Sequence, residues 1–363
     1  MNAKARIKPL DGVRGIAVMM VFLSHTSGRD QVLVEWLNFV GIGHVGVYLF
    51  FGLSAFLLGL GLFTKPLDGE AIRKFFIKRF LRIIPLYYTV VLGTFAFQHF
   101  SGTYNDRYLH VSEGFTGLWQ HLIFYRGDGV FWSIVSEMQF YLLVPLVVWA
   151  LVRFQRKGLL VLLAIALVNF GLYLAKYGLK LDWIAHISPN TLERGSFIDV
   201  FIPGVIAAWL ATVHKNWLLE QKERLTKWAT AAFVVLMVLT FILVCKNFLG
   251  FNRPLYEFRF FSMIYGIGFS AFILSVYIGN PLNKLLSNRF LGYIGVVGFS
   301  FYLLHMGVFR AMNTFTDWTG SVKFFVSFAL VLGVSTVTYR LIEKPSVNLA
   351  YWLIGKLGKR KPA

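Results

Sequence analysis

Long apolar runs recur along the whole of this 363-residue sequence, and they limit the chain to one class of fold. Each run is about 17–22 residues long, which as an α-helix is enough to cross a hydrocarbon core of about 30 Å. Only 15% of the residues are charged, against about 25% in an ordinary soluble domain. The sequence therefore predicts an all-α, polytopic transmembrane helical bundle.

We predict about ten transmembrane spans from these runs. They lie at about 10–27, 44–63, 83–99, 131–152, 159–175, 197–213, 228–245, 260–278, 292–310 and 321–342. Basic residues precede the first run as in a signal peptide, but Arg14 interrupts it and no small-residue cleavage site follows, so we expect a retained span. We further predict a single transmembrane domain over residues 1–345 and a basic amphipathic tail over residues 346–363, lying on the cytoplasmic surface.

The basic residues between the spans predict the orientation. If the N-terminus is cytoplasmic and the spans alternate, the inner segments hold 23 Lys and Arg and the outer segments 11. The positive-inside rule favours this arrangement. Both termini of a multi-pass integral membrane protein are therefore predicted to be cytoplasmic.

The net charge of +19 indicates anionic partners. Nucleic acid fits least well, because the basic residues lie in short segments between spans rather than on one soluble face. Anionic membrane lipid accounts for much of the excess, and a phosphate-rich co-substrate on the same side remains open. The composition gives no indication of the oligomeric state.

No metal site is expected from the sequence. Cys245 is the only cysteine, so neither an intrachain disulfide nor a thiolate metal site can form. No pair of His or carboxylate residues has ligand spacing on one helix, and no Gly-rich phosphate loop is present.

Two ionisable side chains share one face of the first predicted span. Arg14 and His25 are eleven positions apart, about three turns plus 20°, and about 16 Å along the axis. An ionisable group inside a membrane costs several kcal/mol and is a functional candidate by default. In the alternative interpretation Arg14 extends to the inner headgroups and His25 bonds a neighbouring helix. The shared polar face favours a functional role for both.

The fourth predicted span carries Ser133, Glu137 and Tyr141, which recur every four residues and share a face. Glu137 is predicted at a depth similar to that of His25. A His with a carboxylate partner is a workable general base, because the partner fixes the tautomer and stabilises the imidazolium. A structural Glu bonded to the backbone or to a Trp is the alternative.

Two further spans contribute weaker candidates. The ninth span contains the segment GFSFYLLH, which ends at His305 and has Ser300 and Tyr302 on adjacent turns, and a packing role is as well supported as a catalytic one. The second span has Ser54 near the membrane midplane among several glycines, where small residues are more typical of close helix packing.

Six segments together resemble the acyltransferase-3 family of membrane acyltransferases, in order and nearly end to end. The segments are LDGVRGIAVMMVFLSH (10–25), GVYLFFGLSAFLL (46–58), KRFLRIIPLYY (78–88), FWSIVSEMQFYLLVP (131–145), GFSFYLLH (298–305) and IEKP (342–345). The sequence departs from the family pattern at Tyr48, Ala55 and Met138, where the family often has Asp, Gly and a second acidic residue. The departures bear on the substrate more than on the type of reaction.

The resemblance implies a bacterial cytoplasmic-membrane enzyme that transfers an acyl group, commonly acetyl, from cytoplasmic acyl-CoA to a hydroxyl of a surface or secreted carbohydrate. Carried over to matching positions, His25 is the catalytic base and Arg14 a donor-site residue. The remaining matched positions are Glu137, Ser133, Tyr302, His305, Arg82 and Glu343.

A mechanism follows from combining the resemblance with the spacing. We predict that His25, oriented by Glu137 or by His305, takes the proton of the attacking hydroxyl. Arg79 and Arg82 suit the phosphates of coenzyme A, with Ser54 in a supporting position. Acyl-CoA is then a co-substrate, and no metal takes part.

A secondary transporter with a polar mid-membrane substrate site is the alternative function. Polar residues that converge at mid-depth would equally line a transport path. Transporters typically show internal repeats and paired broken helices, and the sequence shows neither, which favours the acyltransferase.

Overall fold

A computed structural model describes residues 7–33, 39–102, 109–111, 114–177, 197–244 and 261–359. Within these ranges all regular secondary structure is helical, which confirms the all-α prediction. Cys245 and the last four residues of the predicted tail lie outside the described residues.

The described residues contain fifteen α-helices and one π-helical turn. They are α1 (Lys8–Ser27), α2 (Ile42–Phe63), α3 (Gly69–Ser101), α4 (Gly114–Leu122), α5 (Phe131–Phe154), α6 (Arg156–Tyr177), α7 (Ile198–Val213), α8 (Lys215–Glu220), α9 (Lys222–Val244), α10 (Ser262–Ile278), α11 (Asn283–Leu286), α12 (Arg289–Val296), α13 (Gly298–Phe315), α14 (Gly320–Thr338), a π-helical turn (Tyr339–Glu343) and α15 (Lys344–Lys359). Each of the ten predicted spans is mainly helical where the chain is described.

Five helices are long and apolar enough to cross a membrane, and a sixth span results if a bent helix pair is counted as one. The five are α2, α3, α5, the Lys222–Ile242 part of α9, and the continuous Gly320–Lys356 segment. Two apolar helices, α7 and α10, have only 16 and 17 residues. The chain is thus an integral membrane protein by composition and helix length, while ten spans and cytoplasmic termini stay predictions.

Helix α3 begins before the predicted third span does. The Asp68 side chain accepts a hydrogen bond from the Ala71 backbone N–H at 2.7 Å and caps the helix. The helix then runs for 33 residues to Gly102, whose left-handed backbone (φ 67°) ends it. A helix of this length spans about 50 Å, so its basic first turns extend beyond a hydrocarbon core.

The core is centred on α2, which packs against α1, α7, α10 and α5. Aromatic rings fill the interior, as where Phe201 of α7 stacks on Phe51 of α2 at 4.4 Å and on Phe140 of α5 at 4.1 Å between centroids. These contacts hold α2, α5 and α7 against one another.

Two glycines let α1 lie directly against α11 and α12. A β-carbon at Gly12 would fall 1.9 Å from the Leu286 carbonyl oxygen, and one at Gly295 would fall 2.0 Å from the Asp11 carbonyl oxygen. Any larger residue would separate the backbones. The small residues of the opening segment therefore set the close approach that positions α1.

The ninth predicted span is broken. Helices α12 and α13 meet at an angle of 77° around Val297, so the segment predicted as a span at about 292–310 consists of two helices bent against each other. The break exposes the backbone N–H groups at the start of α13, and one of them is used in the site described below.

The tenth predicted span passes directly into the predicted tail. Helix α14 continues through the π-helical turn into α15, and α15 packs against α3. π-Helical turns are rare and occur frequently at functional sites. Here the turn carries Glu343, which is buried.

Candidate active site

Two histidines from opposite ends of the sequence form a pair in which His305 is buried and His25 is half-buried. His25 Nδ1 lies 2.6 Å from His305 Nε2, with the ring planes nearly parallel at 4°. His25 belongs to the last turns of α1, and His305 lies within α13, where it is 1% exposed. Sequence reasoning gave His305 an even chance of a packing role, and the structure brings it into contact with His25.

The hydrogen bonds define the tautomer of each ring. His305 Nδ1 lies 2.6 Å from the Tyr302 carbonyl oxygen, which can only accept, so Nδ1 must carry the proton. A neutral His305 then has a lone pair on Nε2, which accepts from His25 Nδ1–H. The lone pair of His25 is consequently on Nε2, the atom that points away from the pair.

Aromatic packing fixes the two helices that carry the pair. Phe22, one turn before His25, lies 5.5 Å from Phe301 and 5.3 Å from Phe309 between ring centroids. Because Phe301 and Phe309 flank His305 by one turn on either side, the same contacts that join α1 to α13 set the distance between the imidazoles.

Arg29 is a functional candidate that sequence reasoning missed. Its Nη1 donates to the His25 carbonyl oxygen at 3.5 Å, and its charge acts on both His25 and His305. The sequence signal was only a lone basic residue shortly after the first span, which is the commonest position for a membrane-surface arginine.

A narrow cavity of about 20 Å³ lies between α1, α2, α5 and α13, and has room for about one water molecule. The α1 wall consists of Ala17, Val18 and Val21, on the face between Arg14 and His25. Glu137 and Tyr302 line the opposite side. Polar residues of two helices, α5 and α13, therefore border this space, and the α1 and α2 walls are apolar.

Ser133 and Tyr302 connect α5 to α13 beside the histidine pair. Ser133 Oγ donates to Tyr302 Oη at 2.8 Å, and Tyr302 Oη donates to the Val130 carbonyl oxygen at 2.9 Å. Tyr302 thus holds α5 through its side chain and His305 through its carbonyl. Their supporting role in the site stays a prediction.

Glu137 forms a separate cluster with Ser54 and Tyr141. Its Oε1 accepts from Ser54 Oγ at 2.5 Å and from Tyr141 Oη at 2.7 Å, and the residue is 3% exposed. Two partners were predicted for His25. His305 contacts it, whereas Glu137 binds Ser54 of α2 instead. Ser54 thus uses its hydroxyl to bind Glu137, which goes beyond the close helix packing that small residues allow.

Two arginines of α3 lie next to this carboxylate. The Arg79 guanidinium carbon is 5.9 Å from the centroid of the Tyr141 ring, and its charge interacts with Glu137 and with Arg82. Arg79 Nε is buried and has no hydrogen-bond partner among the described residues. A buried guanidinium N–H of this kind is suited to an anionic ligand.

Glu343 anchors the start of α13. Its Oε1 accepts from the Ser300 backbone N–H at 3.0 Å and from Ser300 Oγ. A carboxylate on the exposed N–H groups at a helix start is favourable. The charges of Arg82 and Arg14 both act on this carboxylate, so the predicted donor-site residues and Glu343 occupy one end of the site.

Arg14 forms an ion pair with Asp11 at 3.1 Å, one turn earlier on α1. Both side chains are largely buried, at 13% and 12% exposure. Sequence reasoning did not single out Asp11. The sequence signal for this ion pair was the spacing of Asp11 and Arg14, an acid and a base three residues apart in an otherwise apolar segment.

The predicted residues thus form a line along the bundle. Arg14, Arg82 and Glu343 lie at one end, the Glu137 cluster and the cavity come next, and the histidine pair lies about 16 Å from Arg14 along α1. Among the described residues, no group of three or more His, Cys, Asp or Glu side chains could hold a metal ion.

The fold and this line define a helical membrane protein with a series of interior polar side chains that ends at a histidine pair. Residues 7–340 match the family model described as "Acyltransferase domain", and the chain belongs to this family. The acyltransferase resemblance drawn from the sequence motifs is thereby confirmed.

Relatives from Staphylococcus aureus agree with the family. The chain is 24% identical over 375 residues to "O-acetyltransferase OatA" of strain NCTC 8325 / PS 47, covering 97% of this chain and 59% of that protein. It is also 24% identical to "Putative O-acetyltransferase SAS0844" of strain MSSA476, covering 94% and 58%. The chain therefore spans less than two thirds of the length of these relatives. No solved structure matches it significantly.

Proposed function

We propose that this protein is a membrane O-acyltransferase that transfers an acetyl group from acetyl-CoA to a hydroxyl of a surface or secreted carbohydrate. The observation that carries the proposal is the hydrogen-bonded series from His25 through His305 to the Tyr302 carbonyl oxygen. Family membership supplies the reaction type, and the relatives named as O-acetyltransferases support the acetyl group and the oxygen acceptor.

His25 acts as the general base through Nε2. As the acceptor oxygen attacks the thioester carbonyl carbon, its proton passes to His25 Nε2 and a C–O bond forms. The C–S bond then breaks, and the departing coenzyme A sulfur takes the proton back from His25. The products are an ester and free coenzyme A, so no proton or electron is gained or lost overall. Such a base contributes about 10²–10⁴-fold to the rate.

His305 is a positioning residue in this mechanism. By accepting from His25 Nδ1–H, it fixes the tautomer that leaves Nε2 available. When His25 becomes an imidazolium, the Nδ1–H bond to His305 strengthens, and the Tyr302 carbonyl supports His305 in turn. The carboxylate that commonly follows such a His is here replaced by a second imidazole and a carbonyl.

The arginine end of the line is the proposed donor site. Arg79 and Arg82 supply charge for the phosphates of coenzyme A, and the unpartnered Arg79 Nε supports an anionic occupant. The pantetheine arm would run past Arg14 and the Glu137 cluster toward His25. The cavity has room for about one water molecule, so α1, α2, α5 and α13 must move apart slightly to admit it.

The test uses purified protein in proteoliposomes, supplied with acetyl-CoA and a panel of soluble oligosaccharides. We expect acceptor-dependent release of coenzyme A thiol, with formation of an acetyl ester detected by mass spectrometry. A secondary transporter would instead move label across the membrane without consuming the thioester. Cells that express the wild type or the His25→Ala variant provide the second arm, in which an ester should be lost from the surface glycans of the variant.

A further inference from the structure

A second, larger cavity opens on the side of α13 that faces away from the histidine pair. It has a volume of about 540 Å³, within the range of about 300–1,000 Å³ typical of small-molecule sites. Its walls come from α3, α13 and the turn that follows α14. None of its lining residues takes part in the line from Arg14 to His25, although Leu304 adjoins His305 in sequence.

The shape of this groove suits one alkyl chain. On α3 its lining extends from Leu86 to Phe97, and on α13 from Leu304 to Phe315, which is about 16 Å along each helix. Both helices run in the same direction, because Arg310 late in α13 lies over the Phe97 ring late in α3 at 4.2 Å from its centroid. At the other end, Glu343 bonds Ser300 at the start of α13 and interacts with Arg82 in the first half of α3. The groove is therefore long and narrow, and it follows the direction of the helices.

The walls are more apolar than their sequence implies. Thr89 and Thr338 line the groove, but each hydroxyl donates to a carbonyl of its own helix, at 2.8 Å in both cases. Their methyl groups, with Gly93 and Gly307, leave an open apolar channel. An interior of this kind takes up hydrocarbon.

A single cation lies toward one end of the channel. Arg310 is five residues before the end of α13 at Phe315, about 8 Å below it. Phe315 and Trp318 at that end are 82% and 51% exposed, and exposed aromatic residues are typical of the membrane–water interface. Arg310 is therefore within reach of a lipid headgroup, while the channel extends toward the membrane interior.

We infer that this groove binds one chain of an anionic phospholipid, whose phosphate lies against Arg310. The charge at one end and the hydrocarbon-lined channel along the helices match the two parts of such a lipid. A zwitterionic lipid places an added positive charge near the same guanidinium, so it should bind less well. This inference does not depend on the proposed acyl transfer.

Filling the groove tests the inference directly. A β-carbon at Gly93 meets no atom within 4 Å, so Gly93→Phe should fold and occupy the channel. Gly171 on α6 is equally open and lies outside the groove, which makes Gly171→Phe the matched control. From the opposite wall, Gly307→Leu provides a second filled variant, because its β-carbon makes only an ordinary contact of 3.5 Å with Leu109.

The measurement is native mass spectrometry of detergent-purified protein titrated with phosphatidylglycerol or phosphatidylcholine. For the wild type and Gly171→Phe we expect one retained phosphatidylglycerol, bound about fivefold more tightly than phosphatidylcholine, the preference that one basic residue near a headgroup confers. Gly93→Phe and Gly307→Leu should lose this lipid. Arg310→Gln should bind both lipids equally, whereas Lys323→Gln, on the neighbouring α14, should keep the preference.

Two results would overturn the inference. One is retention of phosphatidylglycerol by both filled variants at the wild-type level. The other is an unchanged preference in Arg310→Gln, which would mean that the lipid is selected elsewhere on the surface.

Discussion

His25 Nδ1 and His305 Nε2 lie 2.6 Å apart although 280 positions separate the two residues in the chain. The pair exists only because α1 packs against α13, and Phe22 inserts between Phe301 and Phe309 at this junction. The proposed base is therefore positioned by helix packing rather than by a loop.

Removal of the base is the first prediction. His25→Ala should lower kcat for coenzyme A release by about 10²–10⁴-fold, the usual contribution of a general base, while folding and membrane insertion are retained. The rate is measured by thiol release at saturating acetyl-CoA. His214→Ala, which removes an exposed histidine, is the control and should turn over normally. Wild-type turnover by His25→Ala would exclude the assignment.

The second prediction concerns His305 and distinguishes positioning from packing. His305→Ala leaves His25 Nδ1–H without its acceptor, so kcat should fall with little change in KM for acetyl-CoA. His305→Gln offers a carbonyl oxygen that can accept the same hydrogen bond, and it should recover part of the activity. If the two variants were equally impaired, or if KM alone changed, the tautomer argument would not hold.

The polar elements of the site differ in how far they were predictable. Arg14, His25 and Glu137 are ionisable groups within apolar runs, which the cost of a buried charge singles out in any membrane sequence. The choice of partner was not available from the sequence. Glu137 and His25 were predicted at similar depths, yet the rotation of α5 about its axis turns Glu137 toward Ser54 of α2. Tyr141, one turn further along α5, donates to the same carboxylate.

The positions of the helices could be predicted from the length and hydropathy of the apolar runs. Local breaks within a run could not. The run at 292–310 has the composition of a span, but Val297 separates two helices at 77°. The first run is not among the helices that pass as spans, because Asp11, Arg14 and His25 lower its mean hydropathy. The polar residues and the helix break that weaken the hydropathy signal are thus the same features that form the candidate site.

The third prediction concerns the Glu137 cluster. Glu137→Ala removes the shared acceptor of two buried hydroxyls and should destabilise the protein by about 1–3 kcal/mol for each group left unpaired. Glu137→Gln keeps a carbonyl oxygen for Ser54 and Tyr141, so it should cost clearly less. Thermal unfolding in detergent ranks the two variants. Equal losses would indicate that the charge itself, through Arg79, is what stabilises the cluster.

The fourth prediction addresses the anchor of α13. Ser300→Ala removes one of the two hydrogen bonds that Ser300 gives to the buried Glu343 carboxylate, and it should cost about 1.5–3 kcal/mol, as for bonds to charged groups. Ser321→Ala, at an exposed position near the start of α14, is the matched control and should be near neutral. A similar loss in both variants would show that Glu343 is not the source of the effect.

The last prediction is a pH dependence that arises outside the spans, at His121 in the short helix α4. His121 Nδ1–H donates to the Gly117 carbonyl oxygen at 2.9 Å, and Nε2 accepts the Asp128 backbone N–H at 3.0 Å. Only the neutral ring can make both bonds, because a protonated Nε2 cannot accept from the Asp128 N–H. Burial lowers the pKa of His121, the Gly117 hydrogen bond and the Asp128 carboxylate oppose this shift, and the Arg126 charge adds a smaller lowering.

The sign follows from proton binding in the two states. Above the ordinary pKa of about 6.5 the ring is neutral whether the protein is folded or not. As the pH falls below this value the unfolded chain takes up a proton that the folded chain does not, so the free energy of unfolding decreases. It should stop decreasing once the pH passes below the lowered pKa of the folded state.

Thermal unfolding in detergent at pH 7.5, 6.5 and 5.5 measures this contribution. We expect His121→Asn, which has a donor and an acceptor but does not titrate, to lose part of the pH dependence seen in the wild type. His214→Asn changes an exposed ring and should leave that dependence as it was. His121 and Asp128 join α4 to the start of α5, the helix that carries Ser133 and Glu137. If the unfolding temperature depended on pH identically in all three proteins, this contact would contribute nothing to holding α5 in place.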